Sequence, residues 1–284
     1  MVEADAVSVL AGPQRLVCLT EEPTETLYAL GEQDRIVGIS GFTVRPSIAR
    51  REKPKVSAFT SAKIEKIMAL QPDFAVGFSD IQADIAAELI RRGVEVWISN
   101  HRSVEGILEY IVRLGSLVDA HDRALAYAAE LRQGLEEIEA SAAKFPIRPK
   151  VYFEEWDDPL ISGIQWVAEL VRVAGGDDIL PDLAACSLAK DRIMADGSRV
   201  IAAKPDIIIG SWCGKKFRPD HVSSREGWST IPAVIHRELH EIKSVNILQP
   251  GPAALTDGVR ELHAIFAAWS ERQSTLPPAS HQAL

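Results

Sequence analysis

One phrase occurs twice in this chain, and it narrows the folds open to it. Ile67-Met-Ala-Leu-Gln-Pro-Asp-Phe-Ala-Val-Gly-Phe78 returns as Val200-Ile-Ala-Ala-Lys-Pro-Asp-Ile-Ile-Ile-Gly-Ser211. Each copy reads as a short apolar helix end, a Pro-Asp stop, and a run suited to a buried strand. Proline cannot continue a helix and pushes the residue before it toward extended geometry. Two copies half a chain apart predict two similar α/β lobes, and ligands of such proteins favour the crevice between lobes.

The rest of the chain fits that pattern. Arg15–Leu19, Arg35–Ile39, Phe74–Phe78 and Val94–Ile98 read as strands, separated by helical signals at Thr24–Leu30, Ser61–Leu70 (with Ser61 as cap) and Ala83–Arg92. Apolar strands alternating with short helices predict a mainly parallel sheet. A helix is expected over Val104–Leu117, then a longer one over Asp119–Lys144. The latter has no interior proline, a helix-favouring composition and a length of about 39 Å at 1.5 Å per residue. The pattern resumes at Lys150–Phe153, with a helix over Gln165–Val173 closed by Gly175-Gly176, and a final helix over Leu255–Trp269. The expected division is a lobe at 11–118, a linking helix at 119–147, a lobe at 148–270 and a disordered tail at 271–284.

At 284 residues the chain can bury a large core, and its 46% hydrophobic content is that of a globular protein. A net charge of −9 argues against nucleic acid and anionic membrane surfaces. No apolar run is long enough to span a bilayer. Met1–Val7 lacks a basic n-region and a full apolar h-region, so no signal peptide is visible and a cytoplasmic location is expected. A periplasmic protein trimmed of its leader would read the same. Cys18, Cys186 and Cys213 form neither a CxxC pair nor a disulfide framework. His236 and His240 would share a face on a helix, but no fuller metal motif surrounds them. Zincin, Walker, G-x-S-x-G and GxGxxG signatures are absent, so neither an intrinsic cofactor nor an enzyme is expected.

Three stretches carry a family resemblance: Ile64-Glu-Lys-Ile-Met-Ala-Leu-Gln-Pro-Asp73, Glu154-Glu-Trp-Asp-Asp-Pro-Leu-Ile-Ser-Gly163, and Ala174-Gly-Gly-Asp-Asp-Ile179. With the long central helix, they resemble the helical-backbone substrate-binding proteins of cobalamin and ferric-siderophore ABC importers, the cobalamin branch above all. The resemblance runs from Arg15 to Trp269. It implies an α/β fold of two similar lobes with mostly parallel sheets joined by one backbone helix, and little opening or closing. It also implies a monomer that holds a cobalamin-like corrinoid, or else haem or a ferric siderophore.

In cobalamin binders aromatics from both lobes hold the corrin, and the matching first-lobe positions are Phe42, Phe59 and Phe78. Aromatic platforms suit a flat macrocycle, since burial is worth about 25 cal/mol per Å² of apolar area. The competing reading of each is a core phenylalanine. Trp156, in an acidic loop after a strand, and Trp212, just after another, are the second-lobe candidates; the alternative for Trp156 is an aromatic that pins its loop. Trp166 lies on an apolar helix face and reads as core. Lys215, Lys216, Arg218 and Arg225 form a basic cluster, with Arg225 the candidate for polar ligand groups; solvated surface charge is the alternative. The resemblance further implies one surface glutamate per lobe that pairs with a permease. Glu65 matches in the first lobe; the second-lobe position falls at Ser198-Arg199, with Asp196 the nearest carboxylate. Three readings stand: an importer component, a cytoplasmic sequestering or delivery protein, and an enzyme on the same scaffold.

Overall fold

The computed structural model describes residues 12–275, so residue 11 and most of the expected tail lie outside the described residues. The described residues divide into two compact units, one of residues 12–101 and 105–130, the other of 102–104 and 131–275.

The first unit has strands β1 (Leu16–Cys18), β2 (Ile36–Ser40), β3 (Lys55–Ser57), β4 (Phe74–Phe78) and β5 (Glu95–Ser99). They form one parallel sheet in the order β3-β2-β1-β4-β5. Its helices are α1 (Glu22–Ala29), α2 (Ala49–Glu52), α3 (Ile64–Met68), α4 (Ala83–Arg91) and α5 (Val104–Leu117). Val17, Leu19, Val56, Ile67, Ala75, Ile85 and Leu89 pack as one core cluster between strands and helices. The order reverses at β1, whose neighbours are β2 and β4, and the carboxyl ends of strands at such a switch point are where open α/β sheets take ligands.

The chain passes from one unit to the other within α6 (His121–Ala142), a 22-residue helix. In the second unit, β6 (Lys150–Asp157), β7 (Leu160–Ser162), β8 (Asp177–Asp178), β9 (Ile193–Met194), β10 (Ile207–Gly210) and β11 (Leu239–Glu241) form a six-stranded sheet. Its path is β11-β10-β6-β7-β9, with β8 also on β6; β7 runs antiparallel to both β6 and β9, and the other pairs are parallel. Helix α7 (Gln165–Val173) ends at Gly175, whose φ of +100° is left-handed backbone that suits a glycine closing a helix. The chain then closes on a π-helical turn (Ala254–Gly258) and a helix over Val259–Thr275, which runs past Trp269.

The duplicated phrase does the same work in both units. Asp73 accepts from the backbone N–H groups of Gln14 (2.7 Å) and Arg15 (2.9 Å), tying the entry of β4 to the entry of β1. Asp206 accepts from Lys150 N–H (2.8 Å) and so ties β10 to β6. The residues before the two prolines, Gln71 and Lys204, are not extended as expected but share a positive φ, 49° and 50°. The two strands that follow belong to different sheets.

Two local expectations are corrected. Ser61 caps no helix: α3 starts at Ile64 without a side-chain cap, and Ser61 sits in a tight turn closed by the Ser57–Ala62 bridge. Strand β6 does not end at Phe153. It runs to Asp157 and turns back through a hairpin into β7, so Trp156 lies inside a strand rather than in an acidic loop.

Candidate functional site

In the first unit, the strand exits are bound to one another by side chains. Ser57 Oγ donates to Leu19 O (3.1 Å), and the fully buried Gln82 donates from Nε2 to Leu19 O (3.3 Å) and Phe59 O (3.2 Å). Phe59 is half-buried at the tip of its turn, where Ala58 N–H donates to Ser61 O at 2.7 Å. Phe42 is 50% exposed, on a loop held by Arg50, whose Nη1 donates to Gly41 O (3.0 Å) and Thr43 O (2.8 Å). Both rings can meet a ligand. Phe78 cannot be read the same way: it is 5% exposed, with its ring 5.1 Å from His101, which stacks on Tyr110 at 4.5 Å. It belongs to the core.

Helix α1 opens on two carboxyls that the sequence reading did not single out. Glu22 is buried; its Oε1 accepts from Thr20 Oγ1 at 2.6 Å and its Oε2 has no hydrogen-bond partner among the described residues. Burial pushes its pKa up to about 8, against the opposing bond from Thr20. Burial likewise raises Glu21 to about 7, and the nearby Cys18 thiol to about 12. A buried thiol with so high a pKa is inert as a nucleophile or metal ligand.

In the second unit the end of β6 is a row of charges, each answered. Glu154 is 0% exposed and accepts two hydrogen bonds from Arg225 (2.6 and 2.9 Å) and one from Trp212 Nε1 (3.1 Å). Glu155 pairs with the buried Arg192 at 2.5 Å. Asp157 holds Lys215 Nζ with both oxygens, at 2.7 and 2.6 Å. A one-residue bulge between Glu154 and Trp156 makes this possible, since a bulge re-aims the side chains beyond it.

Trp156 is half-buried, donates from its indole to Asp158 O (2.8 Å) and has Lys215 Nζ at 5.2 Å from its ring. It remains accessible. Trp212 is 3% exposed, meets Phe217 edge-on at 5.0 Å and belongs to the core cluster with Tyr152 and Trp228. Its placement as a ligand wall is therefore corrected to a core role, fixed by its bond to Glu154. Arg225 is committed to Glu154 and lies 4.5 Å over Trp228; burial opposes its charge, but Glu154 raises its pKa on balance. Lys216 and Arg218 are exposed, and Trp166 is buried with its indole donating to Ile247 O (2.9 Å).

Glu65 is exposed and pairs with Arg92 at 2.9 Å. Asp196 instead accepts from Ser198 N–H (2.9 Å) at the start of the helix Ser198–Ala203, so it serves its own helix. His236 and His240 do not share a helix face: His236 follows the helix Pro232–Ile235, whereas His240 lies in β11 and pairs with Glu238 at 2.9 Å. Among the described residues no cluster could hold a metal ion, and no helix is long and apolar enough to cross a membrane. A 560 Å³ cavity beside Tyr28, Arg45 and Tyr127 and a 450 Å³ cavity beside Glu169, Asp177 and Asp178 contain none of the candidate aromatics.

The chain is 26% identical over 252 residues to a vitamin B12-binding protein of Vibrio parahaemolyticus, covering 85% of this chain and 86% of that one. In structure it is similar to the periplasmic vitamin B12 binding protein of Vibrio cholerae, with a TM-score of 0.72, 20% identity and coverage of 92% and 99%. It is also similar to a periplasmic heme-binding protein from Roseiflexus sp. RS-1 in apo form, with a TM-score of 0.75, 21% identity and coverage of 89% and 99%. These two structural likenesses establish the two-lobed α/β fold of such binding proteins. Residues 16–245 match the family described as periplasmic binding protein, and the chain belongs to that family.

Proposed function

We propose that this chain binds a large, uncharged metal macrocycle of the cobalamin class and serves as the solute-binding component of an ABC importer. The observation that carries the ligand class is that Lys215, the cation lying over Trp156, and Arg225, which shares Glu154 with Trp212, are already held by carboxylates. Arg225 is paired with Glu154, Lys215 with Asp157, Arg192 with Glu155 and Arg45 with Glu25. Anionic siderophores and the propionates of haem are best received by a guanidinium or ammonium free to bond them. An amide-bearing corrin asks instead for apolar area and neutral hydrogen bonding, which Phe42, Phe59 and Trp156 supply. Relatives named as a vitamin B12-binding protein and a cobalamin-binding protein support the same choice. The family is one of binding proteins, and no catalytic step is assigned to the chain.

Trp156 is the most direct handle on this reading. Removing one aromatic wall should cost on the order of 1–3 kcal/mol. Trp156→Ala should therefore weaken cyanocobalamin binding about 5- to 150-fold at 1.4 kcal/mol per decade. An unchanged dissociation constant would remove Trp156 from the site. Coupling to a permease rests on Glu65. Glu65→Arg is expected to abolish import while leaving cyanocobalamin affinity unchanged, and normal import by that variant would end the docking role.

A further inference from the structure

Gln82 stands apart among the buried polar side chains because all its hydrogen bonds go to backbone at three different strand exits. It is fully buried, one residue before α4. Its Nε2 donates to Leu19 O beyond β1 and to Phe59 O beyond β3, and its Oε1 accepts from Phe78 N–H (3.1 Å) at the end of β4. A primary amide has two N–H donors and one carbonyl oxygen. The partners are two carbonyls and one N–H, so they also fix which end of the amide is nitrogen. The chain leaves room for it at Gly77, where a Cβ would stand 2.1 Å from Gln82 Oε1.

We propose that Gln82 is a positioning residue for ligand binding: it locks the Phe59 turn against the ends of β1 and β4, so that this aromatic wall is set before the ligand arrives. The inference rests on the corrinoid reading above. Nothing else among the described residues is seen to bond the Phe59 carbonyl to the sheet. A turn that must be ordered on binding subtracts its ordering cost from affinity, whereas a turn already fixed does not. A plug that merely filled space would need shape but not this set of donors and acceptor.

Two near-isosteric variants separate the roles. Gln82→Met keeps the volume and loses all three bonds. Gln82→Glu keeps the acceptor and, when protonated, one donor; when ionised it has no donor and sets a charge against two carbonyl oxygens. In free protein, hydrogen exchange should show the Ala58 and Phe78 amides exchanging at least about tenfold faster in Gln82→Met, the scale of one or two lost amide bonds, with β5 amides unchanged. Cyanocobalamin affinity should fall by about the same factor in Gln82→Met at every pH. In Gln82→Glu it should fall at neutral pH and recover as pH is lowered. Glu21, Glu22, Asp80 and His101 also stand around these loops, so each variant is compared with wild type at the same pH.

Unchanged exchange in the Phe59 turn would overturn the proposal, as would faster exchange with wild-type cyanocobalamin affinity. The second result leaves the corrinoid reading intact. Failure of the wild-type protein to bind cyanocobalamin would overturn both together.

Discussion

Arg225→Met is expected to lower the unfolding free energy by about 3–5 kcal/mol, the usual cost of breaking a buried ion pair from one side. The reason is the setting of Glu154. Its carboxylate is wholly buried between Trp212 and Arg225, and two of its three hydrogen bonds come from that guanidinium. With methionine in place, a charge is left in the core with a single indole N–H to answer it. The double variant Glu154→Gln with Arg225→Met should recover much of the loss, because no uncompensated charge remains. Urea unfolding of wild type, Arg225→Met, Glu154→Gln and the double variant gives the comparison. A single variant within about 1 kcal/mol of wild type would show that the pair is not buried as described. Arg225 then bears on function as well, since a guanidinium held this way is not free to receive a ligand anion.

The second large effect is a pH dependence that runs opposite to that of most carboxylates. Folding raises the Glu22 pKa from 4.5 to about 8. Between those values the folded protein keeps a proton that the unfolded chain releases. Stability from this group is therefore complete below about pH 4.5 and is lost as pH rises toward 8. At pH 7 the accumulated loss is on the order of 3 kcal/mol at 1.36 kcal/mol per pH unit. Glu22→Gln mimics the protonated form, so it should stabilise the protein at pH 7 by roughly that amount and flatten the slope most between about pH 7 and 8, above the raised value of Glu21. The slope that remains belongs to Glu21 and to Asp178, which burial also raises, and ends near their own values of about 7 and about 6. An unfolding free energy for Glu22→Gln that tracks wild type from pH 5 to 8 would contradict this placement.

These two sites also mark the limit of what the chain discloses on reading. The Pro-Asp phrase is legible because its structural work is local in pattern: a helix end, a stop and an apolar strand, with the aspartate free to clamp the neighbouring strand. Helices α5 and α7 are legible in the same way from their apolar faces, and both match the expected residues. The end of β6 is not. Glu154-Glu155-Trp-Asp157 reads as a solvated loop, and it becomes a strand only because Arg225, Arg192 and Lys215 answer it from 71, 37 and 58 residues away. The same long-range pairing takes Trp212 into the core and turns Arg225 away from a ligand. Phe42, Phe59 and Phe78 look alike in sequence, each near a strand end. What separates them is that Phe78 is buried against His101, which Tyr110 backs, whereas Phe42 and Phe59 keep exposed surface. Gln82 carries no signal at all until its three backbone partners come together.

Equilibrium titration of the purified protein with cyanocobalamin, and in parallel with haemin and a ferric siderophore, tests the central claim most directly. Tryptophan fluorescence and ligand absorbance report binding from the two sides. The expected result is saturable one-to-one binding of cyanocobalamin with quenching of the fluorescence, and affinity at least about tenfold weaker for the two anionic chelates, one decade being 1.4 kcal/mol. Tight binding of haemin or the siderophore, with none of cyanocobalamin at millimolar concentration, would contradict it.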